Sequence, residues 1–460
     1  MVRARGEKPM NLFRSSPLAR GLFAAALLVA ACAAQAAGMA ERVQRTSVAG
    51  IDVIVYPMPV KDVVSVVGTM PLGDAQAAAK AANPAVPMLT AMLLEAGTRK
   101  RDKETISSLL TARGASVNWQ PQARYLGFSA RALRKDLDVV VGVVAEELRE
   151  PAFSPEEFAR ARARMQAAEK EKRESTGARA FDALSSAVFS PDHPNAPVAS
   201  ERMLQALASA TVDEVKAFHR ANYGGRHMSI VFAGDIDLKS ASAMVERAFA
   251  GWGGGHDFVR TSASAKTPSV YDIPIAMADK ASATTVLGQA TGLSQADPDY
   301  LPLAMGINVL GTGITGRLMS AVRVKEGLTY GIDAGHYGDD LADGLFAIDA
   351  TFAPALLDRG VSSTRRELER WWKDGITAEE LSARKSSMVG GYQNSLATTR
   401  GMAFMLAQTI RRGQPLDWMD AYPERIRALT LAQVNAAIRK HIDPKKMVLV
   451  KAGTLADPKH

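Results

Sequence analysis

The chain has 460 residues, 47% of them apolar and 23% charged, and a formal net charge of +8. That balance fits an ordinary globular protein with room for two or more cored domains, and it excludes a disordered chain. Lys and Arg are scattered, with no basic stripe interleaved with aromatics, so nucleic acid is not an expected partner.

In chain order the first element is an export signal. Arg3, Arg5, Lys8, Arg14 and Arg20 precede an apolar run from Gly21 to Ala31, shorter than the roughly 20 residues a membrane span requires. Two processing routes fit the residues that follow. Ala34-Gln35-Ala36 has the form of a cleavage site, which makes 1–36 the signal and releases the mature protein. Val29-Ala30-Ala31-Cys32 resembles a lipobox, in which the signal ends at Ala31 and a lipid on Cys32 is the only membrane contact. Met10 is an alternative start. Either route places the protein outside the cytoplasm, in the periplasm or anchored to the envelope. Cys32 is the only cysteine, so the mature body has neither disulfides nor thiol chemistry.

The body repeats itself. Thr211–Gly234 aligns without gaps on Thr430–Gly453, an offset of 219 positions (430 − 211). Each copy reads as a Thr N-cap, an amphipathic helix, a polar turn and a short apolar strand closed by Gly. A second pair, Ser154-Pro-Glu-Glu-Phe158 and Thr377-Ala-Glu-Glu-Leu381, lies in nearly the same register, and each member reads as a capping-box start. Each half also opens with strand-like sequence. Val53–Tyr56 and Val63–Met70 are rich in β-branched residues and are spaced to form a hairpin across Pro57 to Lys61. Thr284–Ala290 plays the corresponding part in the second half. Gly251-Trp252-Gly-Gly-Gly255 through Pro274 has linker composition. The expected fold is therefore α+β, with two homologous sandwich halves (45–250 and 275–457) whose helices pack on one sheet face, joined by the linker 251–274 in a clamshell.

Several stretches in this layout carry a family resemblance. Ala85-Val-Pro-Met-Leu-Thr-Ala-Met-Leu-Leu-Glu-Ala-Gly-Thr98 is followed by His193-Pro194, Tyr223 and Phe232-Ala-Gly-Asp-Ile-Asp237. In the second half stand Asn308-Val-Leu-Gly-Thr-Gly-Ile-Thr-Gly-Arg-Leu318 and Arg323-Val-Lys-Glu-Gly-Leu-Thr-Tyr330. From about residue 45 to the end, the chain resembles the pitrilysin/insulinase superfamily of zinc peptidases, and most of all its mitochondrial-processing-peptidase-like branch.

The resemblance also marks what is missing. Active members carry His-x-x-Glu-His on a helix, where residues i and i+4 share a face, so that two imidazoles hold zinc and the Glu activates water. Aligned on Gly97-Thr98, those positions are Met88, Ala91 and Met92. Thioethers suit Cu(I) better than zinc, and Ala offers no base. Met88 and Met92 read either as apolar filling of a former cleft or as an adaptable peptide-contact surface. The family's third ligand, a Glu some seventy-odd residues on, falls in the region of Glu169, Glu171 and Glu174, which otherwise reads as a solvated helix face. The seven histidines, His193, His219, His227, His256, His336, His441 and His460, include no His-x-His or His-x-x-x-His pair. No metal is expected in this chain.

Arg323 and Tyr330 match an Arg and a Tyr that the family uses from its second half to hold substrate and stabilise the oxyanion. Both are suited to donate toward developing negative charge. A structural alternative pairs Arg323 with Glu326 and starts a buried strand at Tyr330. Gly311–Gly316 fits G-x-G-x-x-G, but it follows a helix (Leu301 to Leu310) and not a strand, so a tight loop between helices is expected rather than a dinucleotide site. Of Trp371 and Trp372, one ring is expected in the core and the other at its rim.

The resemblance implies a zinc-less subunit of a heteromeric zinc metallopeptidase. Such a subunit would pair with a homologous zinc-bearing partner, bind unfolded or short peptides and contribute Arg323 and Tyr330 in trans. A non-enzymatic envelope scaffold on the same fold is the alternative, and an independent peptidase with a relocated metal is a third reading.

Overall fold

The computed structural model describes residues 38–259 and 271–455. The leader with Cys32 and its cleavage motif, part of the linker, and His460 lie outside the described residues. The first half forms a six-stranded sheet of β1 (Gln44–Val48), β2 (Ile51–Pro57), β3 (Val63–Pro71), β4 (Ser116–Pro121), β5 (Tyr125–Leu133) and β6 (Ser229–Gly234). The second forms a five-stranded sheet of β7 (Asp272–Ala276), β8 (Ala283–Ala290), β9 (Thr329–Tyr337), β10 (Leu345–Phe352) and β11 (Val448–Gly453). The strand orders are β1-β2-β6-β3-β5-β4 and β7-β11-β8-β10-β9. With β1 set aside the two orders are the same, so the duplication read from the sequence is a duplication of topology.

The hairpin expected between β2 and β3 does not form. β6 lies between them, parallel to β2 (Asp52 opposite Ser229) and antiparallel to β3 (Val67 opposite Val231). All three strands are buried along nearly their whole length. Central strands read as continuous apolar runs that carry no register information, so the partner supplied more than a hundred residues later leaves no local sign.

The first half carries helices α1 (Val86–Met92), α2 (Leu137–Arg149), α3 (Pro155–Glu174), α4 (Thr176–Val188), α5 (Ser200–Ser209), α6 (Val212–Asn222) and α7 (Leu238–Phe249). The second carries α8 (Tyr300–Gly311), α9 (Leu357–Asp374), α10 (Ala378–Leu396), α11 (Thr399–Arg411) and α12 (Leu431–His441). Thr211 and Thr430 both close reciprocal capping boxes, with Glu214 and Gln433. Thr377 does the same with Glu380, whereas Ser154 only accepts from the Glu157 amide. The Glu157 carboxylate turns instead to Arg160. The expectation of two boxes therefore holds fully only at Thr377.

Side chains alternate across each strand. Val53, Val55, Val64 and Phe232 face Leu137, Val141, Val144 and Leu148 of α2 and Val245 and Phe249 of α7. The alternate residues, Ile54, Tyr56, Val67 and Val231, face Met402, Ala403, Leu406 and Ala407 of α11, which belongs to the other half. The exchange is mutual. Leu287, Phe346 and Ile348 pack against the second half's own helices, with Trp371 fully buried and stacked on Phe346. Val286, Ala347, Val448 and Val450 are covered by Ala180, Leu184 and Val188 of α4. Each half's own helices thus take one sheet face, as expected, and a helix from the other half takes the opposite face.

The first residue of each exchanged helix is pinned in the same way. Thr176 Oγ1 lies 2.8 Å from Thr284 Oγ1 on β8, and Thr399 Oγ1 lies 2.9 Å from Ser65 Oγ on β3. Burying a side chain such as Leu406 or Met402 contributes about 1.5–3 kcal/mol. The exposed Glu174–Lys280 pair that also joins the halves is screened by water and adds little. Apolar exchange therefore holds the halves together.

Candidate functional site

Helix α1 is set by Pro87 in its first turn and by Asn83, whose side chain accepts from the Ala85 amide. Leu89 and Leu93, both fully buried, turn toward Phe158 and Ala161 of α3 and Val215 of α6. Ala91 is buried among the core residues beneath the first sheet, next to Leu94 and Leu148. Met92 is half-buried against the α3–α5–α6 cluster. Met88 is 40% exposed, at the edge of a cavity of about 330 Å³ also lined by Lys80, Pro121, Arg124, His193 and Met203. The Lys80 ammonium is held by the carbonyls of Pro191 and Ala196, and burial lowers its pKa, with Arg202 adding to the effect.

These residues do not fit zinc. The three motif positions present two thioethers and a methyl group. Glu169 accepts from the Ser200 hydroxyl, Glu171 is exposed, and Glu174 pairs with Lys280 at 2.8 Å. Among the described residues no group of three His, Cys, Asp or Glu side chains gathers to hold a metal. The histidines have other work. His219 Nε2 lies 2.7 Å from the Leu148 carbonyl, and burial lowers its pKa. His336 bridges Thr291 and Asp339, and His441 meets Asp299.

The His193 contact was not legible in the sequence. Its ring stacks on Phe189 and its Nε2 meets Asp343 Oδ1 at 2.9 Å, across the two halves. The Asn195 amide donates to Nδ1, so Nε2 carries the proton and donates to Asp343. Asn195 also donates to the carbonyls of Gly338 and Asp343.

The second half presents the other pole. Residues Met319–Lys325 form a π-helical turn, a rare geometry that tends to mark functional positions. It follows the tight loop Thr312–Gly316, as expected for the Gly311–Gly316 stretch. Gly311 ends α8 directly against β9, where an added Cβ would lie 2.2 Å from the Ala334 amide nitrogen. Arg317, just before the π turn, is clamped by both Glu380 oxygens at 2.6 and 2.7 Å.

The π turn carries Arg323, whose guanidinium lies 5.2 Å above the ring of Tyr330 at the start of β9. That stacking holds the planar donor fork against an aromatic face. Tyr330 is 87% exposed. Glu326 bonds Ser363 and Arg366, and no carboxylate among the described residues pairs with Arg323. The alternative of an Arg323–Glu326 pair with a buried Tyr330 is therefore overturned. Trp371 is the core ring, and Trp372, half-buried, donates to the Ile442 carbonyl.

Comparison with known proteins agrees with this geometry. The family model described as Insulinase (Peptidase family M16) matches residues 87–201, and that described as Peptidase M16 inactive domain matches residues 209–388. The chain is 25% identical over 357 residues to an uncharacterised zinc protease of Streptomyces coelicolor, covering 75% of this chain and 76% of that protein. It is 20% identical over 369 residues to YmxG of Helicobacter pylori, a non-peptidase homologue, covering 77% and 81%. The crystal structure of a peptidase M16 inactive domain from Pseudomonas fluorescens superposes with a TM-score of 0.82 at 25% identity, over 91% of this chain and 100% of that one. A protease structure from H. pylori superposes with a TM-score of 0.76 at 15% identity, over 89% and 98%. With both halves, their shared topology and their matched segments in place, the chain belongs to the insulinase-type (M16) peptidase family, as a member without the His-x-x-Glu-His helix.

Proposed function

We propose that this chain is the zinc-less subunit of an exported heteromeric zinc peptidase, in which a homologous partner supplies the metal. The observation that carries this reading is the Arg323–Tyr330 pair. A guanidinium and an exposed phenol are stacked together, with no carboxylate among the described residues paired to the guanidinium, in a chain whose own metal positions are Met88, Ala91 and Met92. Donors of this kind are useful where negative charge develops on a scissile carbonyl. Peptides would be held in extended form along an open sheet edge, such as β4 or β9.

The test is reconstitution with a zinc-bearing homologue and a fluorogenic peptide. Arg323→Ala lowers kcat/KM of the complex by about 10²–10³-fold, the scale of losing one oxyanion donor, with the partner's zinc content unchanged. Unchanged activity sinks the in-trans role. Failure of any zinc-bearing homologue to associate favours a scaffold without enzymatic function.

A further inference from the structure

The positions that lack zinc ligands are not filled by inert residues, since two of the three are thioethers. Met88 and Met92 stand one turn apart on α1 and share a face. Met88 is exposed at the 330 Å³ cavity, and Met203 of α5 lines the same cavity. Helices α3 and α5 run antiparallel. Phe158 and Ala161 meet Ala206, Leu207 and Ala210 at one end, and Glu169 takes the Ser200 hydroxyl at the other. That register sets Met165 opposite Met203. Met92, Met165 and Met203 all lie half-buried against the same cluster. Met203 thus shares the cavity with Met88 and the apolar cluster with Met92 and Met165, and none of the four is sealed in the core.

A thioether is a neutral, polarisable donor that binds zinc poorly and soft d¹⁰ cations well. Its neutrality lets an apolar pocket collect several such donors without burying like charges together. Glu169, one turn beyond Met165, brings a nearby negative charge. Lys80 also lines the cavity, with its ammonium engaged by two carbonyls. We propose that Met88, Met92 and Met203, with Met165 behind them, form a soft-metal site that takes one Cu(I). This inference does not rest on a partner subunit, and the isolated chain decides it.

The test is an anaerobic titration of the full chain with Cu(I), using bicinchoninate as competitor and Cys32→Ser in every sample so that no thiol competes. One Cu(I) per chain is withdrawn from the competitor. Met88→Leu with Met92→Leu, which keeps apolar volume and hence the fold, weakens that uptake at least about tenfold. Met405→Leu, on the exchanged helix α11, leaves it unchanged. With ¹³C-methyl methionine and Ag(I) as a redox-silent probe, the methyl signals of Met88, Met92 and Met203 move first. No withdrawal of Cu(I), equal uptake by the double Leu variant, or stationary signals from those three methyls would each overturn the proposal.

Discussion

The two halves share strand order, exchanged-helix packing and the glycine that closes the central strand, and they differ at the places where chemistry would occur. In the first half, α1 turns Leu89, Ala91 and Leu93 into the core, leaves the Met88 thioether at the cavity and packs Met92 half-buried against the α3–α5–α6 cluster. In the second, a π turn holds Arg323 on Tyr330 outside the core. Packing is therefore conserved between the repeats where a residue lies between helix and sheet, and it diverges where a side chain faces open space. Scaffold positions are held by sterics that either half would violate at the same place. Positions that face open space are free to change one half at a time.

The largest expected effect tests that sterically held scaffold. Gly234 and Gly453 end β6 and β11 with φ of 138° and 148°. An added Cβ would lie 2.1 Å from the Val63 carbonyl oxygen at Gly234, and 2.7 Å from Ala283 Cα at Gly453. Gly234→Ala is expected to cost about 3–5 kcal/mol and Gly453→Ala about 2–4, from the positive φ together with a backbone clash. Urea midpoints measure both. A change within about 1 kcal/mol of the parent at either site breaks the equivalence of the two closing strands.

A smaller effect separates two buried carboxylates at equivalent places, Glu147 on α2 and Glu367 on α9 (137 and 357 begin the helices, so 147 answers to 367). Arg370 pairs with Glu367 at 3.3 Å. No cation among the described residues pairs with Glu147, which accepts from Trp119 Nε1 at 2.9 Å. Burial pushes the Glu147 carboxyl up to about 8 from its ordinary 4.5, against the lowering effect of the Trp119 bond and helped by Glu95 and Glu146. The native chain therefore holds a proton there that the unfolded chain releases. The stability tied to that proton is present in full below pH 4.5 and is lost as pH rises toward 8, with a slope of up to about 1.4 kcal/mol per pH unit. Glu147→Gln, which still accepts from Trp119, flattens that slope. An unaltered slope in the variant places the pH dependence elsewhere.

The smallest effect lies at the caps. Thr377 closes a full box whose Glu380 also clamps Arg317, while Ser154 makes a single bond. Thr377→Ala is expected to cost about 1–2 kcal/mol and Ser154→Ala about 0.5–1. Equal losses would mean that the second carboxylate bond adds nothing.

Much of this was legible in the sequence because it is local. The N-caps at Thr211, Thr377 and Thr430, the closing glycines, the tight loop after Gly311 and the division between Trp371 and Trp372 all follow from spacing and residue type. The empty zinc motif is equally local, since three positions on one helix suffice to read it. The rest depends on contacts between distant segments. β6 entering between β2 and β3, α4 and α11 changing halves, and the His193–Asp343 contact leave no periodic trace. A residue buried against a distant helix looks the same in sequence as one buried against a near neighbour. The Arg323–Tyr330 stack lies between these cases: the family resemblance named both residues, and only the fold showed that Glu326 was already taken.

The exchanged helices make folding a joint commitment of the two halves. A chain that stopped near residue 250 would still contain all six strands of the first sheet but would lack α11, leaving Ile54, Tyr56, Val67 and Val231 bare on one face. The complementary fragment would expose Val286, Val448 and Val450 for want of α4. Neither fragment is expected to fold stably alone, because each would carry an uncovered apolar plane suited to self-association. Duplication here produced an interlocked pair in which a lesion in either copy is felt in both.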